Sequence, residues 1–551
     1  MSRSVQVIQM ILAAIAIALV GALFLGNMLG GRSRDVPASP TTVGPYTPDP
    51  VAEGERMPGM PEKKISEYET FPAGKNDNAD RQTDYKASGT PRVEFLDSLG
   101  DYSDYASQVV DWELCPDSQK AQCATITAPL DWDEPEGEAI EIAVRRVPSG
   151  DSSRGPLFFN PGGPGFGGQG YAESMAGRFV NYDAVGWDPR GTGQSTHVVC
   201  GGLKSTDAFM NLDGSPDDAA EDTALRDGAK TFAKECRDGS AQLLDHITTI
   251  DVVRDLDLLR HLLGAEKLNY VGVSYGTYVG ATYAQLFPNS VGRLVLDAAV
   301  DITGKDEVPQ VAGFELALNN FTKWCAGSDL CELGDDQLAI NDDIASFLSG
   351  LDAKPLKVGN RELTQTLGAS GVAMFLYEDD TAYRTLADFL KAGMAGDGEP
   401  LLQAADAMNG RAGNGYDTIA YAFPAMACVD GVDEGAAPVL EDWRETFDEA
   451  PVLAPNMGTS YNCQYWTAGS APQLKLTAAG APTILVVGTT GDSATPYEQA
   501  VSMAEQLESG TLLTLDGAGH GAVSGDNGCI GKAVDEYLYE GKAPKEGTTC
   551  S

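Results

Sequence analysis

A serine lies between two glycines in the segment GVSYG, residues 272–276. The apolar run LNYVGV leads into it, and an alanine-rich stretch with helical character follows. A G-x-S-x-G pattern at a strand-to-helix joint is typical of a nucleophile elbow, in which a sharp turn exposes the serine hydroxyl. The start of the helix supplies N–H groups and a dipole that stabilise an oxyanion. We therefore predict that Ser274 is a nucleophile for acyl transfer.

A serine hydroxyl needs a neighbouring base to react at neutral pH, and the chain has only four histidines. His520 lies in LDGAGHGAVSG, directly after the last predicted strand and between two glycines. Catalytic groups of parallel α/β sheets gather at the carboxyl ends of the strands, so His520 is the predicted general base. The other three are interpreted as structural or solvated residues: His197, His246 and His261.

A carboxylate that orients the histidine is expected between the serine and the histidine in chain order. Asp492, in GTTGDSATP, lies a few residues after the predicted strand TILVVG and is the predicted third member. The alternatives are Asp297 or Asp301, which follow an earlier strand. Asp516 is disfavoured because it is too close to the end of its own strand.

A glycine-rich loop, NPGGPG at residues 160–165, leaves the third predicted strand. Hydrolases of this plan place an oxyanion donor there, so the N–H groups of Gly163 and Tyr275 are the predicted oxyanion hole. A second loop, WDPRGTGQS, lacks the lysine and the following helix of a phosphate-binding loop. We interpret its Asp188 and Arg190 as a structural pair.

The elements that must position these residues alternate along the chain. Apolar strand patterns such as LNYVGV and TILVVG alternate with helical patterns, which indicates an α/β fold with a mostly parallel sheet covered on both faces. The alternation stops over residues 303–476, where the pattern is mainly helical. The predicted organisation is a core in two parts, residues 95–302 and 477–551, with a helical cap domain inserted between them.

The N-terminal part of the chain is of a different kind. Residues 4–31 contain no charged side chain and exceed the roughly 20 residues that span a bilayer. We predict that residues 1–31 are an uncleaved signal anchor that attaches the protein to a membrane, with a cleaved signal peptide as the alternative. Residues 32–94 are rich in proline, glycine and polar residues and are predicted to be a disordered linker.

Composition restricts the partners and the compartment. A net charge of −42 argues against binding to nucleic acid through bulk electrostatics. Ten cysteines without C-x-x-C spacing, in an exported chain, indicate disulfides and a body outside the cytoplasm. They fall into five neighbouring couples: Cys115 and Cys123, Cys200 and Cys236, Cys325 and Cys331, Cys428 and Cys463, and Cys529 and Cys550.

Five segments in a fixed order carry a family resemblance: NPGGPG, DPRGTGQS, GVSYGTYVGATYAQLFP, GTTGDSATP and GAGHG. Together they resemble the secreted tripeptidyl-aminopeptidase-like serine hydrolases of actinobacteria, relatives of the proline iminopeptidases with an α/β-hydrolase fold. The resemblance covers about residues 111–550 and is strongest at the motifs. It implies that Ser274, Asp492 and His520 are nucleophile, acid and base, and that Gly163 lies in the oxyanion loop. The paired cysteines also resemble the family's disulfides.

The resemblance implies release of short peptides from free N-termini, without a metal or organic cofactor. It also implies carboxylates near the nucleophile that hold the substrate's ammonium group, for which Glu307, Glu315 and Asp430 are candidates by position. Members of this family also include carboxylesterases. An esterase or lipase acting on envelope or small acyl esters is therefore the alternative, and a non-catalytic binding protein on the same fold is a third reading.

Overall fold

The computed structural model describes residues 44–71, 85–150, 153–304, 308–431, 435–525 and 527–551. The predicted signal segment, residues 1–31, lies outside the described residues, and so does Glu307. Within the described ranges, no helix combines the length and the apolar character needed to cross a membrane.

Strands and helices alternate through the described residues. The strands are β1 (Gly44–Tyr46), β2 (Leu96–Asp97), β3 (Val110–Leu114), β4 (Gln122–Pro129), β5 (Glu138–Val147), β6 (Pro156–Asn160), β7 (Asp183–Trp187), β8 (Leu268–Val273), β9 (Val291–Asp297), β10 (Leu356–Val358), β11 (Arg361–Leu363), β12 (Arg411–Ala412), β13 (Gly415–Tyr416), β14 (Ile484–Gly491), β15 (Gly510–Ala518) and β16 (Thr548–Cys550). The α-helices are α1 (Tyr102–Ala106), α2 (Gln169–Met175), α3 (Leu203–Met210), α4 (Ala219–Ser240), α5 (Thr249–Leu262), α6 (Tyr275–Leu286), α7 (Gln310–Ala326), α8 (Gln337–Ala353), α9 (Gln365–Leu376), α10 (Tyr383–Met394), α11 (Glu399–Met408), α12 (Ile419–Asp430), α13 (Ala436–Glu445), α14 (Ala454–Met457), α15 (Tyr497–Gln506) and α16 (Gly528–Glu540).

Twelve of these strands form one sheet, in the order β1-β3-β4-β5-β7-β6-β8-β9-β14-β15-β16, with β2 paired to β5. The strands from β7 to β16 in this order pair in parallel, whereas β1 to β5, and β5 with β7, pair antiparallel. The parallel part is continuous from the glycine-rich loop to the histidine loop. It therefore brings the carboxyl ends of β6, β8, β9, β14 and β15 to one edge of the sheet.

Alternate residues of the central strands face two separate apolar clusters. Val271 and Val295 share one cluster with side chains of α2 and α16. Tyr270 and Leu294 share the other with side chains of α5 and α6. Because both faces are covered, the central strands are apolar along most of their length, which is the pattern seen in the sequence. The fold is α/β, with a mostly parallel sheet, as predicted.

The chain between β9 and β14 is mainly helical, but it packs in two different ways. Helices α7 to α11 enclose an apolar cluster of their own, which includes Leu318, Ile344 and Leu401. By contrast, Met426 of α12 and Trp466 belong to the main core cluster. The region predicted as a cap therefore contains a helical unit with its own core, followed by a segment that is part of the sheet domain's core.

The predicted linker is partly ordered, so the prediction of disorder over residues 32–94 is wrong for residues 44–71, which we call the N-terminal strap. Its first residues form β1, which pairs antiparallel with β3. Arg56 forms an ion pair of 2.9 Å with Asp257 of α5. Gly59 packs so closely that a β-carbon there would lie 2.2 Å from the Trp132 ring. Glycine thus permits a close approach here, although in composition it is typical of a linker.

Five disulfides stabilise the described structure: Cys115–Cys123, Cys200–Cys236, Cys325–Cys331, Cys428–Cys463 and Cys529–Cys550. They are the five neighbouring couples of the sequence. Each joins chain segments within a single region of the fold, and none links α7 to α11 to the sheet. Disulfides persist mainly in oxidising compartments, which favours a location outside the cytoplasm.

Arg190 pairs with Asp255 rather than with Asp188, so the predicted partner is wrong. Its guanidinium lies 2.7 Å from each oxygen of Asp255, and both side chains are fully buried. Asp188 instead accepts bonds from Gln169 Nε2 at 2.7 Å and from the Gln194 N–H at 2.8 Å. Both residues are structural, as expected. Sequence proximity could not reveal that α5 covers this loop.

Candidate active site

Ser274 joins β8 to α6 in a strained turn. Its backbone has φ 57° and ψ −127°, a conformation that L residues rarely adopt and that is characteristic of a nucleophile elbow. A β-carbon at Gly272 would lie 2.3 Å from the Gly276 carbonyl oxygen, and one at Gly276 would lie 2.7 Å from the Asn160 carbonyl oxygen. The two glycines therefore allow the turn that presents Ser274 at the start of α6.

His520 lies in the loop after β15 and is held by Asp492. The His520 Nδ1 is 2.8 Å from Asp492 Oδ1, with the Asp492 side chain fully buried and that of His520 11% exposed. The same carboxylate oxygen accepts the N–H groups of Ala494 and Thr495 at 3.0 and 2.9 Å. Because Nδ1 faces Asp492, Nε2 is the ring nitrogen that remains for proton transfer in the cavity.

The charge state of His520 depends on opposing influences. Burial has the largest effect and disfavours the charged imidazolium, but the Asp492 carboxylate counteracts it, with help from Asp297 and Glu378. The net result is a pKa of His520 above its usual value. A main-chain bond to the helical region also positions the residue, since the backbone N–H of His520 donates to the Tyr377 carbonyl at 2.8 Å.

Asp297, an alternative for the acid, connects the serine and histidine elements instead. Its carboxylate accepts the N–H groups of Ala522, at 3.0 and 2.9 Å, and of Val523, at 2.8 Å. Its main-chain carbonyl accepts the Ser274 N–H at 3.0 Å. Burial raises the pKa of Asp297 to about 6. This residue therefore holds the loop after His520, while Asp492 contacts the imidazole.

The other residues considered for the base and the acid have local partners. His197 Nδ1 lies 3.1 Å from the Ser195 carbonyl, and His261 Nε2 lies 3.1 Å from the Ala106 carbonyl. The structure places His246 at the end of a short 3₁₀ turn outside the cavity. Asp301 accepts bonds from Thr303, and Asp516 accepts a bond from Thr490 Oγ1 at 3.2 Å. Of the four histidines, only His520 lines the cavity that contains Ser274.

The glycine-rich loop after β6 lies directly against the nucleophile. A β-carbon at Gly162 would be 2.9 Å from Ser274 Cβ and 3.2 Å from the Tyr275 nitrogen. Gly163 and Tyr275 both line the cavity. Tyr275 is the first residue of α6, so its N–H has no carbonyl one turn earlier in the helix to bond. The arrangement is suited to holding an oxyanion beside Ser274.

Ser274 and His520 share the wall of a cavity of about 1970 Å³. Part of this wall is apolar and exposed, with Phe166, Leu316 and Phe423 between 41% and 46% accessible. Another part is acidic. The carboxylates of the cavity wall are Asp301, Glu378, Asp379, Asp380, Asp430 and Asp516.

The three carboxylates predicted to bind the substrate's ammonium group lie in different places. Asp430 ends α12 and lines the cavity. Glu315 does not line it, because its carboxylate is buried and accepts the N–H groups of Val452 and Leu453 at 3.4 and 2.9 Å. Glu307 lies outside the described residues. Position in the sequence alone therefore selected one carboxylate that faces the cavity.

Two cavity carboxylates have strongly perturbed protonation. Burial raises the pKa of Asp430 to about 7, although Thr249 donates its N–H and Oγ1–H to it at 2.9 and 2.7 Å. Burial, reinforced by Asp379, also raises the pKa of Glu378 to about 7. Sequence reasoning missed Glu378. The available signal was the run of three acids in LYEDDTAY between two helical patterns, which only the fold brings to the cavity.

The sheet order, the elbow at Ser274 and the histidine loop after β15 define an α/β-hydrolase. Residues 450–550 match a family model described as "TAP-like protein". The chain is 32% identical to a tripeptidyl aminopeptidase of Streptomyces lividans over 481 residues, which cover 80% of this chain and 86% of that protein.

Two further relatives carry different names. Serine protease Hip1 of Mycobacterium tuberculosis is 32% identical over 486 residues, covering 80% of this chain and 91% of that protein. Carboxylesterase B of the same organism is 33% identical over 452 residues, covering 78% of this chain and 86% of that protein. The chain belongs to the tripeptidyl-aminopeptidase-like family of serine hydrolases, and it is a hydrolase.

Proposed function

We propose that the protein is an extracytoplasmic serine exopeptidase that releases short peptides from free N-termini. The observation that carries this proposal is the grouping of an elbow serine, a carboxylate-bound histidine and several acidic side chains in the wall of one cavity. The first two are the parts of a nucleophilic acyl-transfer site, and the acidic side chains suit a cationic substrate group.

In the proposed reaction, Ser274 Oγ attacks the scissile carbonyl carbon while His520 Nε2 takes its proton. The N–H groups of Gly163 and Tyr275 hold the oxyanion of the tetrahedral intermediate. His520 then protonates the leaving amine, and the C–N bond breaks to leave an acyl-enzyme on Ser274. Water, deprotonated by His520, hydrolyses this ester. Asp492 keeps Nδ1–H directed to itself and stabilises the imidazolium.

We further propose that Glu378 and Asp430 hold the substrate's ammonium group. Both are half-buried carboxylates with a pKa of about 7, and no lysine or arginine of the described chain forms an ion pair with either. Burying a carboxylate without a cationic partner is costly. A substrate ammonium would supply that partner, and its binding would favour the ionised form of either carboxylate.

The test compares a tripeptide amide with a free N-terminus and the same substrate N-acetylated. We expect kcat/KM for the free amine to exceed that for the acetylated form by about 100-fold, because a buried charge pair is lost. Glu378→Gln and Asp430→Asn should reduce this ratio, mainly through KM. Glu362→Gln, on an exposed cap strand outside the cavity, is the matched control. Equal cleavage of both substrates by the native protein would rule out the exopeptidase.

The exposed apolar wall of the cavity favours a second candidate function, an esterase acting on envelope or small acyl esters. Phe166 and Phe423 offer a surface on which an acyl chain could lie. Aryl esters of increasing chain length separate the two functions. An esterase should turn them over at least as fast as free tripeptide amides and should ignore N-acetylation. A fluorophosphonate probe distinguishes either enzyme from a non-catalytic binding protein, since only an activated serine reacts with it.

We also propose that residues 1–31 anchor the protein on the outer side of the cytoplasmic membrane. The long uncharged segment of the sequence and the five disulfides support this location. Fractionation of cells that produce the full chain is the test. An anchored protein stays with membranes washed in high salt, whereas a cleaved signal peptide would release a shorter protein into the medium.

A further inference from the structure

The N-terminal strap, residues 44–71, ends at the cavity that contains Ser274. Its last residue, Phe71, is half-buried and lines this cavity. The strap contributes only the edge strand β1 to the sheet and precedes all its other strands in sequence, and its composition is that of a linker. Its contact with the cavity is therefore independent of the motifs that define the reaction.

The end of the strap is fixed to the segment before β14. The Phe71 N–H donates to the Gln473 carbonyl at 2.9 Å, and the Lys475 N–H donates to the Glu69 carbonyl at 2.8 Å. Thr70 and Leu474 form an antiparallel bridge between these bonds. Two main-chain hydrogen bonds around one bridge fix the direction of the Phe71 side chain, as in a short piece of sheet.

The ring of Phe71 rests on Gly304. A β-carbon at Gly304 would lie 3.3 to 3.5 Å from three carbons of the ring, so the ring packs against a residue that has no side chain. Gln473, whose carbonyl holds Phe71, also donates through Nε2 to the Asp430 carbonyl at 2.6 Å. Phe71 is thus linked through one residue to the end of α12, where the proposed ammonium carboxylate lies.

Further contacts hold the strap along its length. Asp257, fully buried on α5, accepts bonds from Arg56 and from the Gly59 N–H, both at 2.9 Å. The Glu62 N–H donates to the Leu286 carbonyl at 3.1 Å. A partly buried ion pair and main-chain bonds thus hold the strap along the path that brings Phe71 to the wall.

The segments that hold Phe71 also contribute apolar side chains to the cavity wall. Ile302, Leu474 and Tyr278 line the same cavity, and Ile302 lies two residues before Gly304. An aromatic ring among aliphatic side chains suits an apolar group and offers no hydrogen-bonding atom.

We propose that the strap is part of the substrate-binding site, and that Phe71 forms the wall of a subsite for an apolar side chain of the substrate. This inference rests on the proposed peptide substrate. In it, Asp430 lies close enough to bind the ammonium while Phe71 contacts a neighbouring side chain. Phe71 acts on substrate selection only and takes no part in the bond-making steps at Ser274.

The experiment uses the full chain and tripeptide amides that carry either alanine or leucine at one of the three positions. Phe71→Ala should lower the preference for leucine over alanine about tenfold at one position, since one apolar contact in a pocket contributes about that much. Phe71→Leu should restore most of the preference, and Phe71→Trp should lower it by filling the subsite. Glu362→Gln, exposed on β11 and outside the cavity, should leave it unchanged.

Labelling by a fluorophosphonate shows that each variant is folded with an activated serine. Among labelled variants, a leucine-to-alanine preference within twofold of the native value at all three positions, for both Phe71→Ala and Phe71→Trp, would overturn the proposal. If the native protein instead prefers esters, the exopeptidase proposal fails by itself. The preference for long over short acyl esters is then measured for the native protein and the Phe71 variants. A preference within twofold of the native value in both Phe71→Ala and Phe71→Trp would again overturn the role of Phe71.

Discussion

Three carboxylates act on His520 from three different elements. Asp492 follows β14 and contacts the ring, Asp297 ends β9 and holds the loop after the histidine, and Glu378 follows α9 in the helical region. Together they outweigh burial and raise the pKa of His520. A histidine must be neutral to take a proton from Ser274. The acid limb of kcat/KM therefore reports on all three carboxylates.

Glu378→Gln should move the acid limb of kcat/KM to lower pH. Removing one negative charge lowers the pKa of His520, so the neutral form persists to lower pH. The profile should be measured with an N-acetylated or ester substrate, so that ammonium binding does not contribute. Asp380→Asn, which changes a cavity carboxylate that does not influence His520, is the control. An unchanged limb in Glu378→Gln would contradict the electrostatic coupling.

Asp492→Asn and Asp297→Asn should have different effects on turnover. The first disturbs the bond to Nδ1 and should lower kcat about 10⁴-fold, the magnitude typical of a triad carboxylate. The second loses one of the bonds to Ala522 and Val523, so we expect a loss of about 1–3 kcal/mol of stability and about tenfold in kcat. Steady-state kinetics and thermal unfolding give both quantities. Equal losses of kcat would mean that Asp297 also acts on the ring.

Ser274→Ala should lower kcat by several orders of magnitude, while the variant still binds the substrate. The residue is held by its elbow and not by its hydroxyl, so the variant should keep the native unfolding temperature. Single-turnover assays and equilibrium binding of a tripeptide amide are the measurements. Near-native kcat in this variant would exclude Ser274 as the nucleophile.

At the scale of elements, the site is a junction between a loop after β6 and the turn before α6. Gly162 brings the loop against Ser274, with a positive φ of 100°. Such a contact has no space for a side chain, because a β-carbon would lie 2.5 Å from the Val273 carbonyl oxygen. The close contact between Gly162 and the turn at Ser274 therefore helps to set the position of the oxyanion donors relative to the nucleophile.

Gly162→Ala should lower kcat by about 10²-fold or more, because the loop must move away from the nucleophile and an oxyanion donor is displaced. Gly170→Ala is the matched control. It lies eight residues on, inside α2, with no atom within 4 Å of the added methyl group. We expect it to keep full activity and to gain about 0.5–1 kcal/mol of stability. Similar kinetics for both variants would show that the loop adjusts freely.

Local sequence patterns predicted the strands and turns that bring Ser274 and His520 to the cavity. The positions of Asp297 and Glu378 depend on tertiary packing. Ser274 and His520 were predictable because glycines and apolar strands mark their turns in the sequence itself. Asp492 and Asp297 both fit the chain order, and Asp492 was preferred because it lies a few residues after its strand and 28 residues before His520; in the structure Asp492 contacts the imidazole and Asp297 holds the loop after it. Glu378 was missed because its position depends on how α9 packs, which no local pattern records.

At the scale of the whole molecule, the strap shows why composition misled the prediction. Proline and glycine lower the apolar content of residues 44–71, which is the usual mark of disorder. The segment is ordered by a few specific contacts instead, among them Arg56 with Asp257 and Gly59 with Trp132. Such contacts depend on partners that are distant in sequence, 201 residues away for Arg56 and 73 for Gly59, and so composition could not predict them.

The disulfides should differ in what they contribute to global stability. Cys200–Cys236 closes a loop with a separation of 36 residues, whereas Cys325–Cys331 closes one of 6. Restriction of the unfolded chain grows with loop length, so replacing the first pair by alanines should cost about 4 kcal/mol and the second about 2 kcal/mol. All four cysteines are buried, so both double-alanine variants lose a similar amount of buried apolar surface. Urea unfolding under oxidising conditions measures both. A reversed order would argue against loop entropy as the main contribution.

The bond between the backbone N–H of His520 and the Tyr377 carbonyl connects the histidine loop to the helical region. The ring of Tyr377 also meets the imidazole edge to face, with 5.3 Å between centroids. A molecule large enough to push this region away from the sheet would displace the histidine at the same moment. Folded proteins whose termini are not extended would then occupy the cavity entrance without being cut. If the proposed exopeptidase activity holds, the bulk of a substrate would be sensed through the same contact that positions the base.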